Sequence, residues 1–436
     1  MSQRITIDPI TRLEGHGKIE IFLDDRGDVA HAYMQIPELR GFERFCLGRP
    51  AEEMPRITQR ICGVCPSAHH MASARALDAL YHVDPPPAAH KVRELYYNLF
   101  MFEDHTLHFY FLGGPDFIVG PAAPAAERNV VGVIGKVGLE IGGKVIEARK
   151  VARGFMAEMA GKVVHPVFGL PGGISKPLKA DLADRIKAAA PGLIDFAAFS
   201  LQAFADIVLK NQAYVDTILA DHYAHKTHYM GTVDANGRVS FYRGRLRVVD
   251  PAGGRVAEFD PPDYLKYIGE HVEPWSYIKF PFLKQPGWKG FVDGPASGVF
   301  RVAPLARLNV ADGMATPRAQ EHYEQMVQTL GGKPMHSTLA THWARLIEAL
   351  QATEVVQMLA NDPDILDPVV RKLPDQAPTE GIGIVEAPRG TLIHHYATDA
   401  NGILTMVNLI VATVHNAAHG PAIHPWREPS THSLPQ

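Results

Sequence analysis

The sequence predicts an α-rich α+β protein with N-terminal strands and a small β insertion. Most of the 436-residue chain repeats its apolar residues at helical spacing. The N-terminus and residues 229–250 instead alternate apolar and polar residues, as half-buried strands do. Hydrophobic residues make up 46% of the chain, which is enough material for a large core without disulfide bonds.

The strands are predicted from alternation and turn residues. Residues 4–8 and 17–35 read as short strands, and the sequence DRGD at 25–28 is typical of a hairpin turn. In the β insertion, residues 229–250, the sequence DANG at 234–237 predicts a second hairpin. Residues 251–315, rich in Gly, Pro and aromatic residues, are expected to form irregular loops.

The helices are predicted from apolar spacing and from the proline and glycine residues that bound them. One begins at the triple proline 85–87 and is stopped by the sequence GGP at 113–115. The proline- and histidine-rich residues 417–436 read as a disordered tail, which leaves residues 1–416 as one domain. The predicted helical stretches are 52–80 with a break near 63–66, 88–112, 124–161, 177–190, 192–220, 317–330 and 337–360.

Composition excludes several classes of protein. The net charge of −4 gives no basic excess for binding nucleic acid. The longest apolar stretch, residues 402–414, is too short to cross a bilayer, so no membrane span is expected. Three cysteines in a chain of this size, without a signal peptide, favour a reducing compartment and a cytoplasmic location.

The residues most suggestive of chemistry lie in the sequence RICGVCPSAH at 60–69. Cys62 and Cys65 are three residues apart, so both thiols can point at one metal ion. Pro66 suits the first position of a helix, whose dipole would favour the thiolate form of Cys65. His69, one turn further on, is expected to donate a hydrogen bond to a thiolate sulfur.

The spacing alone leaves several interpretations open. The two cysteines could be a redox pair or two buried thiols, although no strand leads into them as in thioredoxin-like motifs. They could also form a zinc site together with Cys46 and His69, or a site for iron or nickel.

Neighbouring motifs favour one of these interpretations. The sequences DPITRLEGH at 8–16, RGFE at 40–43, QRICGVC at 59–65 and EAPRG at 386–390 occur in this order along the chain. Together they closely resemble the large subunit of NiFe hydrogenases, over residues 5–416, with features of the cytosolic enzymes coupled to soluble carriers. The resemblance also implies that the long helices pack together as the core.

The resemblance implies a metal centre held by the cysteines. Cys62 would be a terminal ligand of nickel, and Cys65 would bridge the nickel to an iron that carries cyanide and carbon monoxide. Thiolates suit this role because they are soft, anionic donors. Glu43 would be a ligand of a separate magnesium or iron ion, for which a carboxylate oxygen is a suitable hard donor.

The resemblance also assigns roles to residues around the metals. Glu14 would pass protons from the nickel-bound thiolate. Arg389 would lie over the metals, with Pro388 packed against the diatomic ligands and Asp116 as a nearby carboxylate. Thr413 would offer a hydroxyl to a cyanide. Outside this family, a glutamate or an arginine is more often an exposed charge.

The resemblance implies partners as well. H2 would be the substrate, and an iron–sulfur small subunit would take the electrons, because three cysteines cannot hold an electron-transfer chain. A diaphorase or another carrier-reducing subunit would follow, with NAD, NADP, F420 or a related carrier.

The sequence departs from the family after Asn416. The family's second cysteine pair is missing, since no cysteine follows Cys65. A truncation or a shifted reading frame is the expected explanation for the missing cysteines. Impaired activity is the expected consequence. His415, His419 and His424 are weak substitutes, because Gly420-Pro421 breaks the helix that would aim them. The alternatives are a zinc-binding scaffold and a non-catalytic, hydrogenase-like structural subunit.

Overall fold

A computed structural model describes residues 3–36 and 38–418 of the chain. Eight helices of seven or more residues are found in this part. They are α1 (Pro66–Leu80), α2 (Pro87–Leu107), α3 (Val130–Ala160), α4 (Ala180–Phe204), α5 (Gln212–Leu219), α6 (Pro304–Val310), α7 (Pro317–Thr329) and α8 (Thr341–Ala360). Shorter α-helical turns lie at Phe42–Phe45, Met54–Ile57, Gly114–Ile118 and Tyr264–Tyr267.

The long helices form the main core. Helix α8 packs against both α4 and α2, and α2 packs against α3. Helix α2 is buried on nearly all sides, and it continues into a π-helical turn at His108–Gly113. Helices α1, α2, α6 and α7 each begin with proline, as expected for a residue that has no N–H to leave unpaired.

The strands form several small sheets in the described part of the chain. They are β1 (Arg4–Ile7), β2 (Lys18–Leu23), β3 (Val29–Gln35), β4 (Gly169–Leu170), β5 (Gly173–Ile174), β6 (His228–Val233), β7 (Arg245–Val249), β8 (Arg255–Phe259), β9 (Ile268–Val272), β10 (Lys279–Leu283), β11 (Phe300–Arg301), β12 (Glu380–Ala387), β13 (Gly390–Thr398) and β14 (Leu404–Ile410). The sheets have the orders β1-β2-β3, β4-β5, β9-β10, β11-β6-β7-β8 and β12-β13-β14.

The C-terminal sheet lies directly on α1, the helix that follows the cysteine pair. Two glycines of β12 permit this close approach. A Cβ atom added at Gly383 would lie 2.0 Å from the carbonyl oxygen of Ala72, and one at Gly381 would lie 2.2 Å from that of Ala76. The sheet and the cysteine pair are thereby brought to the same region of the molecule.

The predicted fold class is confirmed, and the long helices lie close to the predicted helical stretches, whereas fewer than half of the described strands were predicted. The N-terminal strands match β1 to β3, and the β insertion contains β6 and β7. Residues 251–315 were wrongly expected to be irregular, since they contain β8 to β11 and α6. The short segments of that region, broken by Gly and Pro, hid its strands.

The structure describes only the first two residues of the predicted tail, residues 417–436. Ala417 and Ala418 end a short 3₁₀ turn, Val414–Ala418, and Ala418 is buried beside Phe280 and Val299. The remainder of that tail, residues 419–436, lies outside the described residues.

One helix in the described ranges is long and apolar enough, by length and composition alone, to cross a membrane. It is the segment Ala180–Leu209, which comprises α4 and the π-helical turn after it. The prediction from the sequence overlooked this segment. Since α4 packs against α8 and α3, its apolar face has partners within the protein.

Candidate metal centre

The cysteine pair lies at the N-terminus of α1. Cys62 has extended backbone after a short 3₁₀ turn, and Cys65 is the N-cap residue of α1, with Pro66 following it as predicted. The two residues form a disulfide, with Cα atoms 5.4 Å apart, and the Cys65 N–H points at Cys62 Sγ at 3.0 Å. Once reduced, both sulfurs can therefore bind the same metal group.

Arg389 comes from a tight hairpin turn. Ala387 pairs with Gly390 across β12 and β13, so Pro388 and Arg389 are the two loop residues. Gly390 has a φ of +141°, and a Cβ there would lie 2.2 Å from Val302 Cγ2, so only glycine fits. The turn directs Arg389 to the cysteine pair, where Nη2 donates to Cys62 Sγ at 4.0 Å.

The carboxylate paired with Arg389 is Asp104, which the sequence analysis missed. Arg389 Nη1 donates to Asp104 Oδ1 at 3.1 Å, and Nη2 donates to Oδ2 at 3.4 Å. Asp104 is fully buried near the end of α2, and burial raises its pKa, whereas the positive charges of Arg389 and Arg345 oppose that rise. The only signal in the sequence was that Glu103 and Asp104 directly follow the apolar run of residues 99–102.

Glu14 reaches the same sulfur from the N-terminal segment. Its Oε1 lies 3.9 Å from Cys62 Sγ and accepts a hydrogen bond from the Gly63 N–H at 3.2 Å. Glu14 is half-buried, unlike the buried Cys65. A partly exposed carboxylate beside a sulfur atom is suitably placed to carry a proton.

His69 is buried one turn beyond Cys65, in a line of hydrogen-bonded side chains. Its Nδ1 lies 3.1 Å from His394 Nε2, and His394 Nδ1 lies 2.6 Å from the Tyr396 hydroxyl. Burial lowers the pKa of His69 to about 3, so its ring is neutral. The Nε2 atom of His69 is buried and has no hydrogen-bond partner among the described residues, which leaves it available to a bound group.

Asp116 and Thr413 are not placed at the cysteine pair by their described contacts. Asp116 forms ion pairs with Arg12 at 2.8 Å and with Arg128 at 3.3 Å, and its side chain is 38% exposed. The position expected for its carboxylate beside Arg389 is taken by Asp104. Thr413 is exposed, and it lines a cavity of about 340 Å³ beside Val414 and Trp275.

Glu43 is paired with a cationic side chain and, among the described residues, is not surrounded by oxygen atoms that are free to bind a metal ion. Its Oε1 accepts from Lys279 Nζ at 2.8 Å and from the Leu409 N–H at 2.9 Å. The same ammonium contacts Glu270 at 2.9 Å and Asn408 Oδ1 at 2.7 Å. Burial would raise the pKa of Glu43, but the hydrogen bond from Lys279 lowers it. These surroundings do not fit a divalent cation, because an ammonium already lies among the oxygens.

The donor atoms at the cysteine pair do fit one side of a nickel–iron group. They are two soft sulfur atoms, with the Arg389 guanidinium within 4.0 Å of one of them. Within residues 3–36 and 38–418 there is no group of three or more His, Cys, Asp and Glu side chains placed to hold a metal. A zinc site including Cys46 is not supported, since Cys46 is a free thiol in a different apolar cluster.

Comparison with known proteins agrees with this chemistry. A family model described as nickel-dependent hydrogenase matches residues 40–132 and 233–422, and one described as HoxL-like matches residues 4–39. An iron-sulfur subunit of the F420-non-reducing hydrogenase of Archaeoglobus profundus is 50% identical over 416 residues, covering 95% of this chain and 85% of the relative. The beta subunit of the NAD-reducing hydrogenase HoxS of Cupriavidus necator is 40% identical, covering 95% of this chain and 86% of that protein.

Solved structures give the same answer. The chain is similar to an NAD+-reducing [NiFe]-hydrogenase crystallised in the H2-reduced state, with a TM-score of 0.89 and 37% identity. That match covers 96% of this chain and 90% of the solved chain. A Ni-Fe-Se hydrogenase from D. vulgaris Hildenborough shares the fold, with a TM-score of 0.75 at 23% identity. The chain therefore belongs to the nickel-dependent hydrogenase family, as a large subunit of the nickel–iron type.

Proposed function

We propose that this chain is the subunit on which H2 is split into two protons and two electrons, or formed from them. The observation that carries the proposal is the convergence of Glu14 and Arg389 on the sulfur of Cys62. The Glu14 carboxylate lies 3.9 Å from that sulfur and the Arg389 guanidinium 4.0 Å from it. A base beside a cation and a soft metal ligand is suited to separating the two atoms of H2.

In this proposal the sulfurs of Cys62 and Cys65 would be the ligands by which this chain holds the nickel–iron group. When bound, the nickel–iron group, with cyanide and carbon monoxide on the iron, supplies the redox chemistry that H2 needs. Arg389 Nη2 donates to Cys62 Sγ, and buried Pro388, the residue before it, would pack against the diatomic ligands. The unpaired Nε2 of His69 is available to hydrogen-bond a bound group.

Glu14 carries the proton. Its carboxylate accepts a proton at Oε1, the oxygen that faces Cys62 Sγ, and releases it toward the outside of the protein. The hydrogen bond from the Gly63 N–H holds the same oxygen in place. Because Glu14 is half-buried, its proton can exchange with solvent without a long buried path.

The electrons leave through partners. The chain contains three cysteines, and two of them, Cys62 and Cys65, lie at the proposed metal centre. The chain therefore cannot also hold several iron–sulfur clusters. We therefore propose that an iron–sulfur small subunit takes the electrons. Beyond it, a diaphorase or another subunit reduces a soluble carrier. A cytoplasmic location follows from such a carrier.

The role of Glu14 is tested by isotope exchange between H2 and D2O, catalysed by the complex purified from its native host. We expect exchange by the wild type and a loss of about 100-fold or more in Glu14→Gln, which keeps the side-chain size but cannot take the proton. Nickel content should be unchanged. Glu20→Gln, which alters a carboxylate bonded to Lys18 in the N-terminal sheet, is the matched control and should exchange normally.

Two results would contradict the proposal. Normal exchange by Glu14→Gln would remove the proton role of that residue. A native complex that contains this chain but neither nickel nor exchange activity would show a non-catalytic subunit instead.

A further inference from the structure

A buried arginine lies directly behind the turn that presents Arg389. The Arg307 side chain is fully buried, and its guanidinium faces the backbone of that turn. Nη1 donates to the carbonyl oxygen of Ala387 at 3.0 Å, and Nη2 donates to that of Pro388 at 3.4 Å. One side chain thus holds the two consecutive carbonyl groups that precede Arg389.

Arg307 is itself fixed by two buried carboxylates. Its Nε and Nη2 each lie 2.6 Å from an oxygen of Glu348, and its Nη1 lies 2.9 Å from Glu386 Oε2. Both carboxylates are fully buried. The pair of contacts to Glu348 is the bidentate arrangement that fixes the plane of a guanidinium. Arg307 therefore has little freedom to move, and neither have the carbonyls bonded to it.

A second buried arginine meets the same turn from another helix. Arg345, on α8, donates from Nη1 to the Pro388 carbonyl oxygen at 3.2 Å and to His105 Nδ1 at 3.2 Å. His105 Nε2 in turn donates to Glu348 Oε2 at 2.9 Å. Burial lowers the pKa of His105 to about 3, so the ring is neutral, with one nitrogen that donates and one that accepts. The two arginines are thus joined through His105 and Glu348.

Stability alone is a weak explanation for this set of buried charges. Replacing a buried ion pair by apolar residues of similar volume is often neutral or even stabilising. These charges converge on the carbonyls of residues 387 and 388, which come directly before Arg389. A fixed backbone at this point fixes the direction in which the Arg389 side chain leaves the turn.

We propose that Arg307 and Arg345 are positioning residues, which hold the Pro388–Arg389 turn so that the Arg389 guanidinium stays between Asp104 and the sulfur of Cys62. Neither residue is a catalytic residue, since each acts through the backbone of the turn. The inference rests on the proposed function only for its effect on H2 turnover. Its geometric part, the position of Arg389, is independent of that function.

The test is a double-mutant cycle in the native complex. Arg307→Lys keeps the charge but loses the fork that spans Glu348 and the two carbonyls. We expect kcat for H2 oxidation to fall about 10-fold, with the KM for H2 changed by less than about twofold. If Arg307 acts through Arg389, the double variant Arg307→Lys/Arg389→Lys should be as slow as Arg389→Lys alone. Losses that multiply would overturn the proposal.

Arg93→Lys is the matched control. Arg93 is equally buried, pairs with Asp78 and donates to the carbonyls of Leu170 and Gly173, away from the turn. We expect it to lower the thermal midpoint without the loss in kcat, and an equal loss in both variants would contradict a positioning role. If Arg307→Lys does not assemble, Arg345→Lys tests the same carbonyl of Pro388 with the same expected results.

A crystal structure of the variant separates this inference from the proposed function. Displacement of the Arg389 guanidinium from Asp104 in Arg307→Lys supports the positioning role, even if the wild type shows no H2 chemistry. An Arg389 that keeps both contacts to Asp104 in the variant overturns it. Absence of H2 turnover in the wild type would count against the proposed function alone.

Discussion

A carboxylate and a cation both contact the sulfur of Cys62, and they come from opposite ends of the chain. Glu14 is in the N-terminal segment, whereas Arg389 lies 375 positions later, in the turn between β12 and β13. Asp104 holds Arg389 from the end of α2. The chemistry therefore depends on all three elements meeting at one point.

We expect substitutions of Asp104 and Asp116, two aspartates that are twelve positions apart, to change H2 turnover to different extents. Asp104→Asn removes the charge that pairs with Arg389, so we expect H2 turnover to fall about 10-fold or more. Asp116→Asn breaks only the ion pairs to Arg12 and Arg128, which are partly exposed, so turnover should stay within about twofold of the wild type. Turnover rates of the two purified complexes measure this difference directly. A larger loss in Asp116→Asn than in Asp104→Asn would show that the assignment of Asp104 is incorrect.

At the scale of single residues, the sequence singled out residues that belong to short motifs, whose roles stay proposals. Cys62, Cys65, Glu14 and Arg389 belong to short motifs, and the structure brings them together. Asp104 has no such motif, because its role depends on burial and on a partner far along the chain. The expected sulfur contact of His69 is likewise absent from its described hydrogen bonds, which lead to His394 instead.

At the scale of elements, the packing of β12 on α1 joins the arginine turn to the cysteine pair. Glycine makes this packing possible, since the backbone of α1 occupies the space that a side chain at Gly383 would need. Any separation of the strand from the helix would also carry Arg389 away from Cys62.

Gly383→Ala should therefore be destabilising. We expect a loss of about 1–3 kcal/mol in the free energy of unfolding, because the added methyl group overlaps the backbone at Ala72 and Ala76. Gly192→Ala is the matched control. Gly192 lies within α4 and has no atom within 4 Å of the added Cβ, so alanine should raise stability by about 0.5–1 kcal/mol. Urea unfolding measures both, and a stabilising Gly383→Ala would refute the close packing.

Two C-terminal strands that the sequence failed to predict lack the usual signals of a strand, for different reasons. Strand β13 is buried along most of its length, so its residues show no alternation between an apolar and a polar face. Strand β12 contains Gly381 and Gly383, which normally indicate a break in a strand. The long helices were predictable from their apolar spacing and from the prolines that begin several of them, and the N-terminal hairpin from its alternation and turn residues.

At the scale of the whole molecule, the helices of the core supply the buried charged residues that surround the proposed metal centre. Helix α8 contributes Arg345 and Glu348, α6 contributes Arg307, and α2 contributes Asp104 and His105. The fold class, the family and the cysteine pair were all predictable from the sequence. The buried charges that connect these helices were not, since arginine and glutamate within a helix usually indicate an exposed face. The domain bounds of 1–416 stay a prediction.

The central claim is that Cys62 and Cys65, and no other thiol of this chain, bind the nickel–iron group. Nickel content per chain, measured in the purified native complex, tests it most directly. We expect about one nickel per chain in the wild type and in Cys46→Ala, since Cys46 is a free thiol buried in a separate apolar cluster. Cys62→Ala and Cys65→Ala should each contain almost none. Nickel retained by either of these two variants, or lost to the same extent from Cys46→Ala, would contradict the account.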